Sequence, residues 1–167
     1  MLWNKEEVIR NIKQSCLSLG LDHPAQIAYT LATVQFETCG LFTPVRQSYW
    51  VSDIDSFNLQ YYPETYPFYG RGYFPLKWKK NYEKLSIAVG VDLVSNPDLV
   101  LNHNIAKIVL IYSLRDGLIT GKPLDIFINK NICSFKEARK TLVGLDNKCD
   151  VALLADIWLR KLDNNEL

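Results

Sequence analysis

Residues 28–50 read AYTLATVQFETCGLFTPVRQSYW. Ile27, Ala28, Leu31 and Val34 recur at helical spacing and share one face. Pro24 suits a first helical turn, where its missing N–H costs nothing. Gly40 is free to take the left-handed conformation that ends many helices. The stretch therefore predicts a helix from Pro24 to the Cys39-Gly40 pair. Glu37 falls in or just after its last turn.

Glu37 is the one acid in this stretch, with Phe36 before it and Val34 one turn back. An apolar setting and the negative end of a helix dipole both favour a protonated carboxyl. That is the state a general acid needs at neutral pH. The competing reading is an exposed glutamate in a last turn, where an acid is slightly unfavourable. Ten residues on, where a partner acid could stand, the sequence has Gln47.

Upstream, Val8, Ile9, Ile12, Cys16 and Leu19 predict a helix stopped by Gly20. Downstream, residues 41–76 change character. Prolines stand at 44, 63, 67 and 75, and tyrosines at 49, 61, 62, 66, 69 and 73. This is loop and turn chemistry, with a short hairpin expected around FYGRGYFPL. So long a loop in a compact domain usually does more than connect.

Helical patterning returns at 78–89, 104–116, 123–129, 134–143 and 148–162. Gly90, Gly117 and Gly144 stand where C-caps belong, and Asn102 or Asn104, Ser134 and Asp146 where N-caps do. In the last helix Val151, Leu154, Ala155, Trp158 and Leu162 form the expected buried stripe. No linker or repeat divides residues 1–167. The expectation is one mainly α domain, with an irregular aromatic-rich insertion that forms a cleft.

Composition narrows the function. Nineteen basic and eighteen acidic residues leave a net charge of +1, so the basic excess of a nucleic-acid binder is missing. No apolar run is long enough to span a membrane. The start, MLWNKEEVIRNIKQ, is charged too early for a secretory leader, so cytoplasmic synthesis is expected, with any passage to a cell wall left to a separate system. Cys16, Cys39, Cys133 and Cys149 have no CxxC spacing, which points to four buried or half-buried thiols in a reducing compartment, with a pair of disulfides as the competing reading. His23 and His103 stand apart and read as surface residues, so no metal or other cofactor is expected.

An aromatic-rich loop beside a carboxylate at a helix end suits a carbohydrate cleft, because flat rings stack on sugar faces and polar groups read hydroxyls. The competing reading is that the tyrosines cap the core.

Three stretches together carry a resemblance: the one quoted first, YPFYGRGYFPLKWKKNYEKL at 66–85 and GVDLVSNPDLVLNHNIAKIVL at 90–110. In that order they resemble the family-19 glycoside hydrolases, which hold chitinases and many phage endolysins within the lysozyme-like superfamily. The resemblance implies an α+β lysozyme-like fold. It also implies hydrolysis of β-1,4 links next to N-acetylglucosamine, in chitin or in cell-wall peptidoglycan. The family's catalytic acid falls on Glu37, which would protonate the leaving oxygen. The second glutamate, which activates water, falls on Gln47. Tyr49, Tyr69, Arg71, Lys77, Trp78 and Asn81 fall along the substrate-binding stretch, although Arg71 alone reads as readily as an internal tie. Asp98 reads as a cap or brace for the segment that follows it.

The departures are specific. Phe36 stands where the family has histidine, Gln47 where it has glutamate, Pro75 where it has a sugar-contacting glutamine, and Lys77 where it has threonine. Glutamine can orient a water but cannot take its proton at neutral pH. Asp53, Asp55 and Glu64 are the acids placed to substitute. Two functions follow as expectations. One is a glycosidase acting through Glu37. The other is an impaired or inactive scaffold, a pseudoenzyme, that binds glycan or a protein partner.

Overall fold

The computed structural model describes residues 4–166. Residues 1–3, part of the N-terminal stretch read above for a leader, lie outside the described residues. The fold is mainly helical: α1 Lys5–Ser18, α2 Pro24–Glu37, α3 Ile54–Tyr61, α4 Lys79–Val89, α5 His103–Asp116, α6 Phe135–Ala138 and α7 Lys148–Asp163. Two short strands, β1 Val45–Arg46 and β2 Arg71–Gly72, pair antiparallel with Val45 opposite Gly72. None of the described helices is long and apolar enough to cross a membrane.

Helix α2 is the centre of the molecule. Every residue from Ala25 to Val34 is buried, and the helix packs most extensively against α7. Pro24 opens it, as the sequence predicts, and His23 caps it by accepting from the Ala25 N–H at 3.2 Å. His23 is thus a capping residue and not a bare surface histidine. The helix stops because the Gly40 N–H turns back to the Gln35 carbonyl at 2.7 Å, with Gly40 at φ +77°.

Around α2 one cluster gathers Ile12 and Cys16 from α1, Tyr82 and Leu85 from α4, Val109 and Leu110 from α5, and Val151 and Ala155 from α7. Leu154 and Leu162, expected in the buried stripe of α7, are only partly buried and pack against the edge of this cluster. Gly90 and Gly117 end α4 and α5 in the left-handed region, as expected.

Several local expectations are corrected. Residues 54–61 form α3 where the sequence predicts loop. Asp53 caps this helix by accepting from the Ser56 N–H at 3.1 Å, and Asn58 is its one buried residue. The hairpin expected within 68–76 is reduced to an Arg71–Leu76 bridge, and β2 pairs instead with β1. Residues 124–126 make only a single 3-10 turn, and α6 gives way to another at Arg139–Thr141. Gly144 is not a left-handed cap, and Asn147, not Asp146, precedes α7. Cys16 alone is buried, and Cys39, Cys133 and Cys149 are exposed free thiols.

Candidate active site

The end of α2, the β1 strand with the turn after it, and the 70–77 segment enclose an open groove of about 270 Å³. Glu37, Cys39, Gln47, Tyr49, Trp50 and Lys77 are among its lining residues. The register of β1 against β2 brings the walls together. The Gln47 N–H donates to the Gly70 carbonyl at 2.7 Å, and the Gly70 N–H returns to Gln47 Oε1 at 3.3 Å. Ser48 then takes φ +62°, and the turn leaves Tyr49 and Trp50 at the rim, 50% and 72% exposed. Their rings meet edge to face at 5.4 Å. Such rings present flat apolar faces to an entering ligand. A larger hollow of about 420 Å³ lies between α1 and α7, but neither Glu37 nor Gln47 lines it.

Glu37 is not the lone acid expected, because it has a cationic partner. Its Oε1 accepts from Arg139 Nη2 at 2.7 Å, an ion pair with side-chain exposures of 13% and 4%. The geometry follows from helix spacing. Tyr29, Thr33 and Glu37 are four residues apart on one face of α2. Arg139 starts the turn after α6 and adds a donation from Nε to the Asp146 carbonyl at 3.2 Å. Burial pushes the Tyr29 hydroxyl up to about 12, so it stays protonated at neutral pH.

The acids considered as substitutes do not reach the groove. Asp53 is spent capping α3, and Asp55 accepts from the Tyr69 hydroxyl at 2.8 Å. Glu64 is exposed and outside the lining. Among the described lining residues, Glu37 is the sole carboxylate.

The other sequence-predicted residues divide into two groups. Tyr49 and Lys77 line the groove. Trp78 and Asn81 line a neighbouring hollow of about 210 Å³, and the Asn81 amide donates to the Lys77 carbonyl at 2.8 Å. Tyr69 and Arg71 stand behind the wall. Tyr69 is fully buried beneath the Arg71 guanidinium, which lies 3.7 Å from its ring. Arg71, 5% exposed, ties Asp98 Oδ1 at 2.8 Å and the Pro67 and Tyr69 carbonyls at 2.9 and 3.0 Å. Asp98 also accepts from Arg46 and so braces both strands, rather than the segment after it.

Sequence reasoning passed over two residues. Trp50 could have been found, since it adjoins Tyr49 three residues after Gln47. Arg139 carried no local signal.

The sequence model of glycoside hydrolase family 19, chitinase class I, matches residues 30–113, half of the chain. The chain belongs to this family. Glu37, Gln47 and Lys77 fall within the matched segment, and Arg139 lies beyond it. Two curated relatives share short stretches. Basic endochitinase B of Arabidopsis thaliana is 54% identical over 35 residues, 21% of this chain and 10% of that protein. Chitinase 11 of Oryza sativa subsp. japonica is 53% identical over 38 residues, 23% of this chain and 15% of that protein. The chain thus spans no more than 15% of the length of either relative.

Proposed function

We propose that this family-19 chain binds a β-1,4-linked amino-sugar polymer, chitin or peptidoglycan, in the Glu37–Gln47 groove and hydrolyses it slowly. The supporting observation is that Glu37 and Gln47 line one open groove with two exposed aromatic rings at its rim. Glu37 gives its proton to the leaving glycosidic oxygen, and Gln47 orients the attacking water. That water's proton passes to solvent, since glutamine cannot hold it. Glu37 must also carry a proton while beside Arg139. Both features keep turnover low.

A second reading is favoured by the ion pair itself. The groove's sole carboxylate among the described lining residues is already paired, which suits a site that holds glycan without cutting it.

Turbidity of purified peptidoglycan and of colloidal chitin, followed alongside co-sedimentation with each, tests the proposal. Wild type is expected to sediment with glycan and to clear at least one suspension, whereas Glu37→Gln sediments without clearing. Sedimentation without clearing by either protein selects the second reading. Failure of wild type to sediment with either polymer rejects both.

A further inference from the structure

Three residues, Phe74, Pro75 and Lys77, belong to the wall of the catalytic groove and also to that of the neighbouring hollow. The two spaces therefore adjoin across one ridge. The hollow beyond it is apolar and open, with Ile119, Leu142, Val143 and the half-exposed Trp78 around it. No acid lines it among the described residues.

Lys77 is the distinctive feature of the ridge. Gly70 locates it: a Cβ added there would lie 3.3 Å from Lys77 Cε and 3.2 Å from both Gln47 Oε1 and Pro75 Cβ. The end of the lysine stem and the Gln47 amide oxygen thus both approach Gly70. The other charged residues lining the two spaces are already answered, Glu37 by Arg139 and Arg46 by Asp98. Lys77 forms no ion pair among the described residues. A half-buried lysine at the junction of a sugar-sized groove and an apolar hollow presents unanswered charge to the ligand.

From this geometry we infer that the ligand is a branched, acid-bearing amino-sugar polymer. Its sugar chain lies in the groove, a carboxylate of its branch pairs with Lys77, and the branch's small apolar groups lie in the hollow of Ile119, Leu142 and Val143. Neutral chitin offers the lysine hydrogen-bond acceptors but no opposite charge. The inference rests on the proposed glycan groove and names the class of glycan that fits it.

The test measures dissociation constants for three probes. They are a muramyl-peptide tetrasaccharide with free stem carboxylates, the same molecule with those carboxyls amidated, and chitotetraose. Wild type is expected to prefer the free acid over its amide by about tenfold, the worth of one charge-assisted hydrogen bond. Added salt weakens that preference. Lys77→Arg keeps it, Lys77→Met abolishes it, and Lys77→Glu reverses it. Equal affinity of wild type for acid and amide, or an unchanged ratio in Lys77→Met, overturns the inference while leaving the glycan groove standing. Binding of none of the three probes overturns both.

Discussion

The guanidinium of Arg139 and the carboxylate of Glu37 meet at 2.7 Å although 102 residues separate them. The contact joins the end of the central helix to the turn after α6, so it is part of the architecture as well as of the groove. Both side chains are largely withdrawn from water, and a buried pair loses most when one partner is removed.

Arg139→Leu is therefore expected to destabilise the protein by about 3–5 kcal/mol, because Glu37 is left buried without its cation. Glu37→Gln costs less, since an amide oxygen still accepts from the guanidinium. Urea unfolding of both single variants and of the double variant checks this. The double variant should be more stable than the sum of the two losses predicts. Strict additivity would mean that the pair contributes nothing.

Replacing Gln47 with glutamate tests whether the missing base limits turnover. A carboxylate at position 47 would lie close enough to Lys77 to pair with it, given how both approach Gly70. The single variant is thus expected to gain little. Combining it with Lys77→Thr frees the carboxylate and should raise hydrolysis of chitin oligosaccharides by about 10². Equal rates for wild type and the double variant would show that the absent base is not what slows the reaction.

Gly72 holds the wall where β1 and β2 pair. Its φ is +104°, and a Cβ there would stand 2.8 Å from Val100 Cγ1. Gly72→Ala combines backbone strain with a clash, and is expected to cost about 1–3 kcal/mol by thermal or chemical unfolding. An unchanged stability would mean that the strand turn accommodates a side chain freely.

His103 gives the fold a pH dependence. Its Nδ1 lies 2.7 Å from the Tyr73 hydroxyl, and burial, with the Lys107 charge adding to it, lowers the imidazole below its ordinary 6.5. The native state then takes the proton less readily than the unfolded chain. Stability is complete above the unfolded value and falls as pH drops through it towards the lowered native one. Between about pH 7 and about pH 5, Tm of wild type should fall more steeply than that of His103→Gln. Parallel slopes would assign the pH dependence to other groups.

How much of this was legible follows from particular residues. Helix α2 could be read because Pro24, the apolar spacing and Gly40 all point to one answer. Helix α3 was hidden because it is short and its apolar residues, Ile54, Phe57 and Tyr61, stand among prolines and tyrosines that read as loop, although Asp53 offered a cap signal. The regions 123–129 and 134–143 have apolar residues enough for helices, but the chain turns at Ile128–Cys133 and again at Arg139–Thr141. Gln47 and Lys77 were identifiable by position. Their shared corner was not, because only the pairing of β1 with β2 creates it. Arg139 lay beyond any local pattern, and it changes the reading of Glu37 most.

The most direct measurement is the release of new reducing ends from purified peptidoglycan and chitin by wild type and by Glu37→Gln, at a temperature where both are folded. The account predicts slow but steady release by wild type and a loss of about 10² or more in the variant, as removal of a general acid requires. Equal release by the two proteins would contradict it and take Glu37 out of the chemistry.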